Sequence, residues 1–272
     1  GYELEFRSEV VRRKDLFVAV FANLAHNENR ILKISESLKA YNDRVKDHFA
    51  NSNRFDGSNT QPFTQYVEGG SQTSIWGVPS LGIDPATGEE IFIRPDGSIT
   101  NTWNTNDQVV LGDTEPKIQG TFGLNATYKN LSLYMTFMYE AGGQIYNSTL
   151  RDKVEDVNVY TSNVDKRVFS ERWQEPGDKA RYRKLTSGVG GSIMRTRPTS
   201  RFVEDNNVLT LNSISLGYDF DAGQKWMKTI GLSMLRFEIG ANDVCRWSSV
   251  KVERGLNYPY ARSFNFSLKA AF

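Results

Sequence analysis

The chain has 272 residues, 39% of them hydrophobic and 24% charged, with a formal net charge of +1. No apolar run approaches the roughly 20 residues of a spanning helix, so that class is excluded, whereas a barrel, in which every second strand residue meets lipid, is not. Near-neutral charge argues against nucleic acid as a partner, and one cysteine, Cys245, with two histidines, His26 and His48, offers neither an internal disulfide nor a zinc spacing.

The opening "YELEFRSEVV" sets Tyr2, Leu4, Phe6 and Val10 against Glu3, Glu5, Arg7 and Glu9, the period-2 pattern of a strand. The polar "RRKD" joins it as a hairpin to "LFVAVFANL", with Leu16, Val18, Val20, Ala22 and Leu24 in phase. From His26 to about Ser71 the text is polar and Asn-rich, a long surface loop with one helix-like piece, "ILKISESLKAYNDRV". Asp84, Pro85 and Gly88 then supply turn chemistry between two further short strands, and "WNTNDQVVLGDTEPK" is another loop.

The clearest hairpin follows. "IQGTFGLNATY" carries Phe122, Leu124, Ala126 and Tyr128 in alternation, turns at Lys129 and Asn130, and returns with Leu131, Leu133, Met135, Phe137 and Tyr139 in phase. Thr121, Gly123, Asn125 and Thr127 on the other face suit either a wet interior or a crowded wall. A second insertion spans 142 to 206, with helical spacing at Val164, Val168, Phe169 and Trp173 closed by Pro176 and Gly177. In "VLTLNSISLGYDF" the phase changes between Leu211 and Ile214, which predicts a bulge near Asn212 and Ser213. "LRFEIGAND" and the terminal "RSFNFSLKAAF" complete about nine strands.

Short joins at 12–15, 81–90, 129–130 and 221–230 separate long ones at 26–71, 95–116, 142–206 and 243–261. In an up-and-down sheet this puts every long loop at one rim and every short turn at the other, as in outer-membrane barrels. The last row, Phe264, Phe266, Leu268, Ala270 and Phe272, ends on an aromatic ring suited to headgroups, with its carboxylate in water.

Four stretches, "GIDPATGEEIFIRPDGSIT", "VVLGDTEPKIQGTFGLNATYKNLSL", "RFVEDNNVLTLNSISLGYDF" and "ERGLNYPYARSFNFSLKAAF", resemble the C-terminal half of SusC/RagA family TonB-dependent transporters of Bacteroidetes. The resemblance implies an all-β, transmembrane, antiparallel up-and-down β-barrel of the outer membrane, with residues 1–272 as about nine C-terminal strands of 22. It also implies a plug and TonB-contacting segment that this sequence lacks, coupling to the TonB complex, and a SusD-like surface lipoprotein lid over the loops at 142–206 and 243–261. Import of glycans or oligopeptides follows, without catalysis, cofactor or metal. Nine strands alone leave two edges that lipid does not tolerate, so the chain is expected to be the C-terminal part of a longer or nicked transporter, completed by its remainder. Counting back nine from strand 22 makes the first strand an even, downward one, as its short following turn requires.

The carboxylate pairs Asp152 with Asp156 and Glu89 with Glu90 read as surface charge, "RPDGSIT" as a turn at Gly97, "GVGGS" as a flexible loop, and the triplet at Asn147 as incidental. Aromatic loop residues are more informative: Trp76, Trp103, Tyr146, Tyr160, Trp173, Trp247, Tyr258 and Tyr260 fit sugar stacking or lid anchoring, or else an interfacial girdle and loop packing. Trp103, Tyr160, Trp173 and Trp247 are the candidate substrate-binding residues. The rival reading is a soluble β-rich carbohydrate-binding domain or enzyme; a passive porin is a third.

Overall fold

The computed structural model describes residues 1–53, 55, 57–161, 163–186, 193–221, 223–251 and 262–272. Its strands are β1 (Tyr2–Arg12), β2 (Leu16–His26), β3 (Ser74–Gly77), β4 (Ser80–Ile83), β5 (Glu90–Ile93), β6 (Ile99–Thr100), β7 (Val109–Asp113), β8 (Ile118–Tyr128), β9 (Leu131–Tyr146), β10 (Val203–Asp219), β11 (Met234–Ser248) and β12 (Ser263–Ala271). Seven of them form one sheet in the order β1-β2-β8-β9-β10-β11-β12, with every neighbour antiparallel. The sheet is open, with β1 and β12 at its edges.

The wall therefore has seven strands rather than about nine. The short segments around Asp84 do form a hairpin, β4 with β5, but it lies in a three-stranded sheet with β6, and β3 pairs with β7. Alternation reports a half-buried face and says nothing of which sheet buries it; at four residues β4 and β5 are far shorter than the roughly 9 to 11 a tilted crossing needs. The loops expected at 26–71 and 95–116 thus merge into one, 27–117. The second long loop contracts to 147–202 because β9 runs on through the Gly142 bulge, and the third to 249–262 because β11 continues past Asp243. Joins at 13–15, 129–130 and 220–233 alternate with these three, so the two largest loops, 27–117 and 147–202, share one rim; the third pair departs from the expected contrast, because 220–233 and 249–262 are equal in length.

The register aligns chemistry across the whole sheet. Val11, Val18, Ala126, Leu133, Leu216, Ile239 and Phe266 form one continuous row on one face. An odd number of steps reverses the face, and three residues along most strands Arg7, Phe21, Gly123, Thr136, Ser213, Asn242 and Ser263 form a row on the other. Besides the one at Gly142, two bulges maintain this phase. The predicted one lies between Leu211 and Ser213. The other, between Glu9 and Val11, makes Val10 the extra residue, so Val11 rather than Val10 carries the apolar face. The turn at Lys129 adopts φ 51°, and its amide donates to Asp15 O at 2.8 Å, linking neighbouring turns at the short-turn rim.

Side chains that span strands use glycines opposite them. Tyr139 of β9 crosses Gly120 of β8 to donate its hydroxyl to Asn23 O of β2 at 3.0 Å; a Cβ at Gly120 would strike both. On the polar face Phe21 and Tyr134 stack over Gly123 with ring centroids 6.1 Å apart, and Arg236 reaches across Gly217 to Ser132 Oγ at 2.9 Å.

Above the loop rim the first two long loops fold together. The helix α1 (Glu36–Asn51) is capped by Ser35, whose side chain accepts from Leu38 N, and buries Val45 and Phe49. A cluster of Leu150, Val154, Val157, Val168, Tyr182 and Phe202 forms the core of the second loop. The helical spacing read at 164–173 produces only one turn, Arg167–Ser170.

Candidate functional site

Two surfaces can meet a solute: the polar face of the sheet and the layer of loops. The polar face carries small residues, Ser132, Ser213, Ser215, Ser267, Asn265 and Thr127, between a charged end at β1 and the ion pair of Arg236 with Asp219 at 2.9 Å. An apolar patch of Phe17, Phe21 and Tyr134 interrupts it, where Arg12 lies 5.5 Å above the Phe17 ring.

The loop layer is held by a buried ionic seam joining the first loop to the second. Arg201 bridges Glu90, at 2.8 Å, and Glu155, at 2.7 Å; Arg183 pairs with Asp156 at 3.0 Å and Glu155 at 3.4 Å. Thr199 Oγ1 donates to Glu90, and the amide and hydroxyl of Thr196 both donate to Asp156 at 2.8 Å. Arg172 donates to the backbone oxygens of Arg183, Val154 and Glu155. Glu90 and Asp156 are thus buried structural groups, which overturns their reading as surface charge; Glu89, paired with Lys184, and Asp152 remain more open. Their environments push them in opposite directions. Burial opposes the Glu90 carboxylate, but Arg201 and Thr199 outweigh it and hold the group below the usual range. Burial dominates at Asp156, reinforced by Glu155, and raises it despite Arg183 and Thr196.

Beside the seam lies a cavity of about 250 Å³ lined by Glu89, Glu90, Phe92, Asn101, Thr102, Trp103, Arg183 and Met194 to Arg197. Trp103 forms one wall. Its Nε1 donates to Pro198 O at 3.0 Å, Phe49 packs against it at 5.3 Å, and the Arg197 guanidinium lies 4.8 Å from its ring centroid.

The structure does not gather the four aromatic candidates into one site. Trp103 lines this cavity, whereas Tyr160, 80% exposed, stands beside a smaller hollow formed by Val157, Leu185 and Ile193. Trp173 is a fastener: its Nε1 donates to Pro85 O at 2.9 Å and its ring covers Gly88, whose φ of 70° and absent Cβ make that contact fit. Trp247 pairs with Leu209 in β11, on the same face as Tyr139 and Phe137, which is the apolar face. Tyr146 belongs to the core of the second loop, its ring 6.0 Å from Phe202. Tyr258, Tyr260 and the "GVGGS" stretch lie outside the described residues. Sequence reasoning missed Arg183, Arg195, Arg197 and Arg201; the available signal was the density of arginines between 181 and 201, a stretch that also holds Lys184 and has no acidic residue.

No protein-family profile matches the chain. TonB-dependent receptor P3 of Formosa agariphila is 24% identical over 298 aligned residues, which cover 100% of this chain and 28% of that protein. TonB-dependent receptor P26 of the same organism is 24% identical over 149 residues, 55% of this chain and 14% of that one. Among solved structures, the RagAB peptide importer in its closed-closed state aligns over 99% of this chain and 29% of its own, with TM-score 0.72 and 20% identity. A second structure of the RagAB peptide transporter covers 92% and 26%, with TM-score 0.68 and 20% identity. The chain spans less than a third of the length of these relatives. In sequence it is similar to TonB-dependent receptors of a Bacteroidetes bacterium and in fold to the RagAB transporter barrel, as the four motifs implied, and its seven-stranded sheet is an open portion of such a barrel.

Proposed function

We propose that the chain forms the barrel wall and surface loops of a TonB-dependent nutrient importer in the bacterial outer membrane. The observation that carries this reading is the two-faced sheet: continuous apolar rows on one side, polar rows on the other, and the two largest loops at one rim. From Leu131 to Tyr139 the apolar face climbs about 27 Å along β9, or about 20 Å of membrane height at a tilt near 40°. Phe264, Phe266 and Leu268 are 67%, 71% and 68% exposed, with no second layer over them among the described residues. A soluble domain would bury such a row, which disfavours the rival reading.

The polar face then borders an aqueous cavity and the loops point outward from the cell. The wall performs no bond chemistry: it shapes a cavity in which cargo is held until TonB remodels a plug contributed by the rest of the transporter. A SusD-like lipoprotein seats on the second and third long loops. Trp103 and Tyr160 present ring faces to cargo, Trp173 positions the β4–β5 hairpin, and Trp247 belongs to an interfacial belt. The cargo is a glycan or an oligopeptide; the RagAB structures are of a peptide importer.

Uptake of labelled cargo in cells with and without TonB tests the reading. Uptake should fall to background without TonB; equal uptake in both would indicate a passive pore. A transporter that stays soluble and monomeric without detergent would overturn the membrane assignment.

A further inference from the structure

The cavity beside Trp103 has an unbalanced set of charges. Both carboxylates in its lining are committed: Glu90 to Arg201 at 2.8 Å and Glu89 to Lys184 at 3.0 Å. Among its arginines, Arg183 is committed to Glu155 and Asp156, while Arg197 lies over Trp103 and donates to Ser52 O at 2.8 Å. Arg195 differs. Its one hydrogen bond within the described residues is a long 3.4 Å contact from a terminal nitrogen to Asp156 O, its Nε is buried with no partner, and it makes no ion pair among those residues. A buried guanidinium donor without a partner is costly, and its planar fork matches the two oxygens of a carboxylate. Asn101 and Thr102 add neutral polar groups nearby, and Phe92 and Trp103 supply apolar walls.

We propose that this cavity is a subsite for a carboxylate-bearing ligand: the acid pairs with Arg195 and the body of the residue that carries it lies against the Trp103 indole. The inference rests on the importer reading and refines its cargo class. The cavity volume, about 250 Å³, suits one sugar ring or one amino-acid side chain, so the carboxylate comes from a uronic acid or from an acidic peptide.

The test uses the full-length transporter that contains this chain, purified in detergent and titrated calorimetrically with trigalacturonate and triglutamate. Their counterparts without a carboxylate, the methyl-esterified trisaccharide and C-terminally amidated triglutamine, serve as controls. At least one acidic probe should bind ten times more tightly than its neutral counterpart. Arg195→Gln should abolish that preference and Arg195→Lys should retain part of it. Thr102→Glu, at an exposed position of the lining, should abolish it without touching Arg195. Preference confined to the uronate assigns a glycan source and preference confined to the peptide assigns a peptide source; each supports the subsite. Equal binding of acidic and neutral probes, or a preference that survives both Arg195→Gln and Thr102→Glu in protein with unchanged circular dichroism, would overturn it. TonB-dependent uptake alongside such a result would sink the subsite and leave the importer standing.

Discussion

The wall and the loop layer are built on opposite plans. Phe49, Val78, Val154, Val168, Tyr182 and Phe202, all fully or nearly fully buried, belong to the loops, whereas the sheet contributes only Val208 and Leu211 to the buried apolar set. The loop layer buries its apolar side chains as a soluble domain does and fixes its geometry with shielded ion pairs. The wall turns its apolar rows outward and keeps its order through backbone pairing. On the proposed importer reading, the contrast makes solvent assignment regional: the loop layer completes its folding in water, and the wall is completed by lipid and neighbouring strands.

The largest expected effect breaks the loop layer alone. Arg201→Met removes the cation shared by Glu90 and Glu155 and leaves two buried carboxylates, at a cost of about 3 to 5 kcal/mol. Limited proteolysis should then cleave within 27–117 and 147–202 while the sheet stays protected; simultaneous loss of both regions would show that they are one unit. Next, Leu133→Arg, at the centre of the outer row, should cost about 2 to 4 kcal/mol in lipid-reconstituted urea titrations, and Ser215→Arg, on the opposite face, less than about 1 kcal/mol. Equal costs would contradict the assignment of faces. Tyr139→Phe removes the bond to Asn23 O across Gly120 and should cost about 1 kcal/mol in the same assay.

The smallest effect concerns pH and sharpens the contrast. Because the Glu90 carboxyl lies below its ordinary value in the fold, its contribution is complete above the usual glutamate range and is lost as pH falls through the folded value. Asp156, raised by burial, has the opposite sign: its contribution is present at low pH and diminishes as pH rises. Protease resistance of the loops should therefore weaken on acidification below about pH 4, and Glu90→Gln should make it less acid-sensitive; an unchanged acid profile in that variant would show that Glu90 does not control it.

How much of this was legible follows from the range of the interactions. The β8–β9 hairpin could be read directly, since Phe122 to Tyr128 and Leu131 to Tyr139 alternate without a break around Lys129 and Asn130. The bulge near Asn212 was visible because it shifts the phase of large side chains. The bulge at Val10 was hidden, because Val10 and Val11 are the same residue type and either could continue the row. Strand membership was ambiguous where alternation is short, which is why β4 and β5 were counted with the wall. The ionic seam was illegible: Glu90, Glu155, Asp156, Arg183 and Arg201 are drawn together by tertiary folding and follow no period. The Trp103 cavity is assembled the same way, so an aromatic candidate could be named from the sequence but its arginine companions could not.

A single terminal nitrogen of Arg201 holds both Glu90 and Glu155, while Trp173 and Gly177 both donate to the single oxygen of Pro85. A canopy riveted at these points swings as a slab and cannot flutter loop by loop.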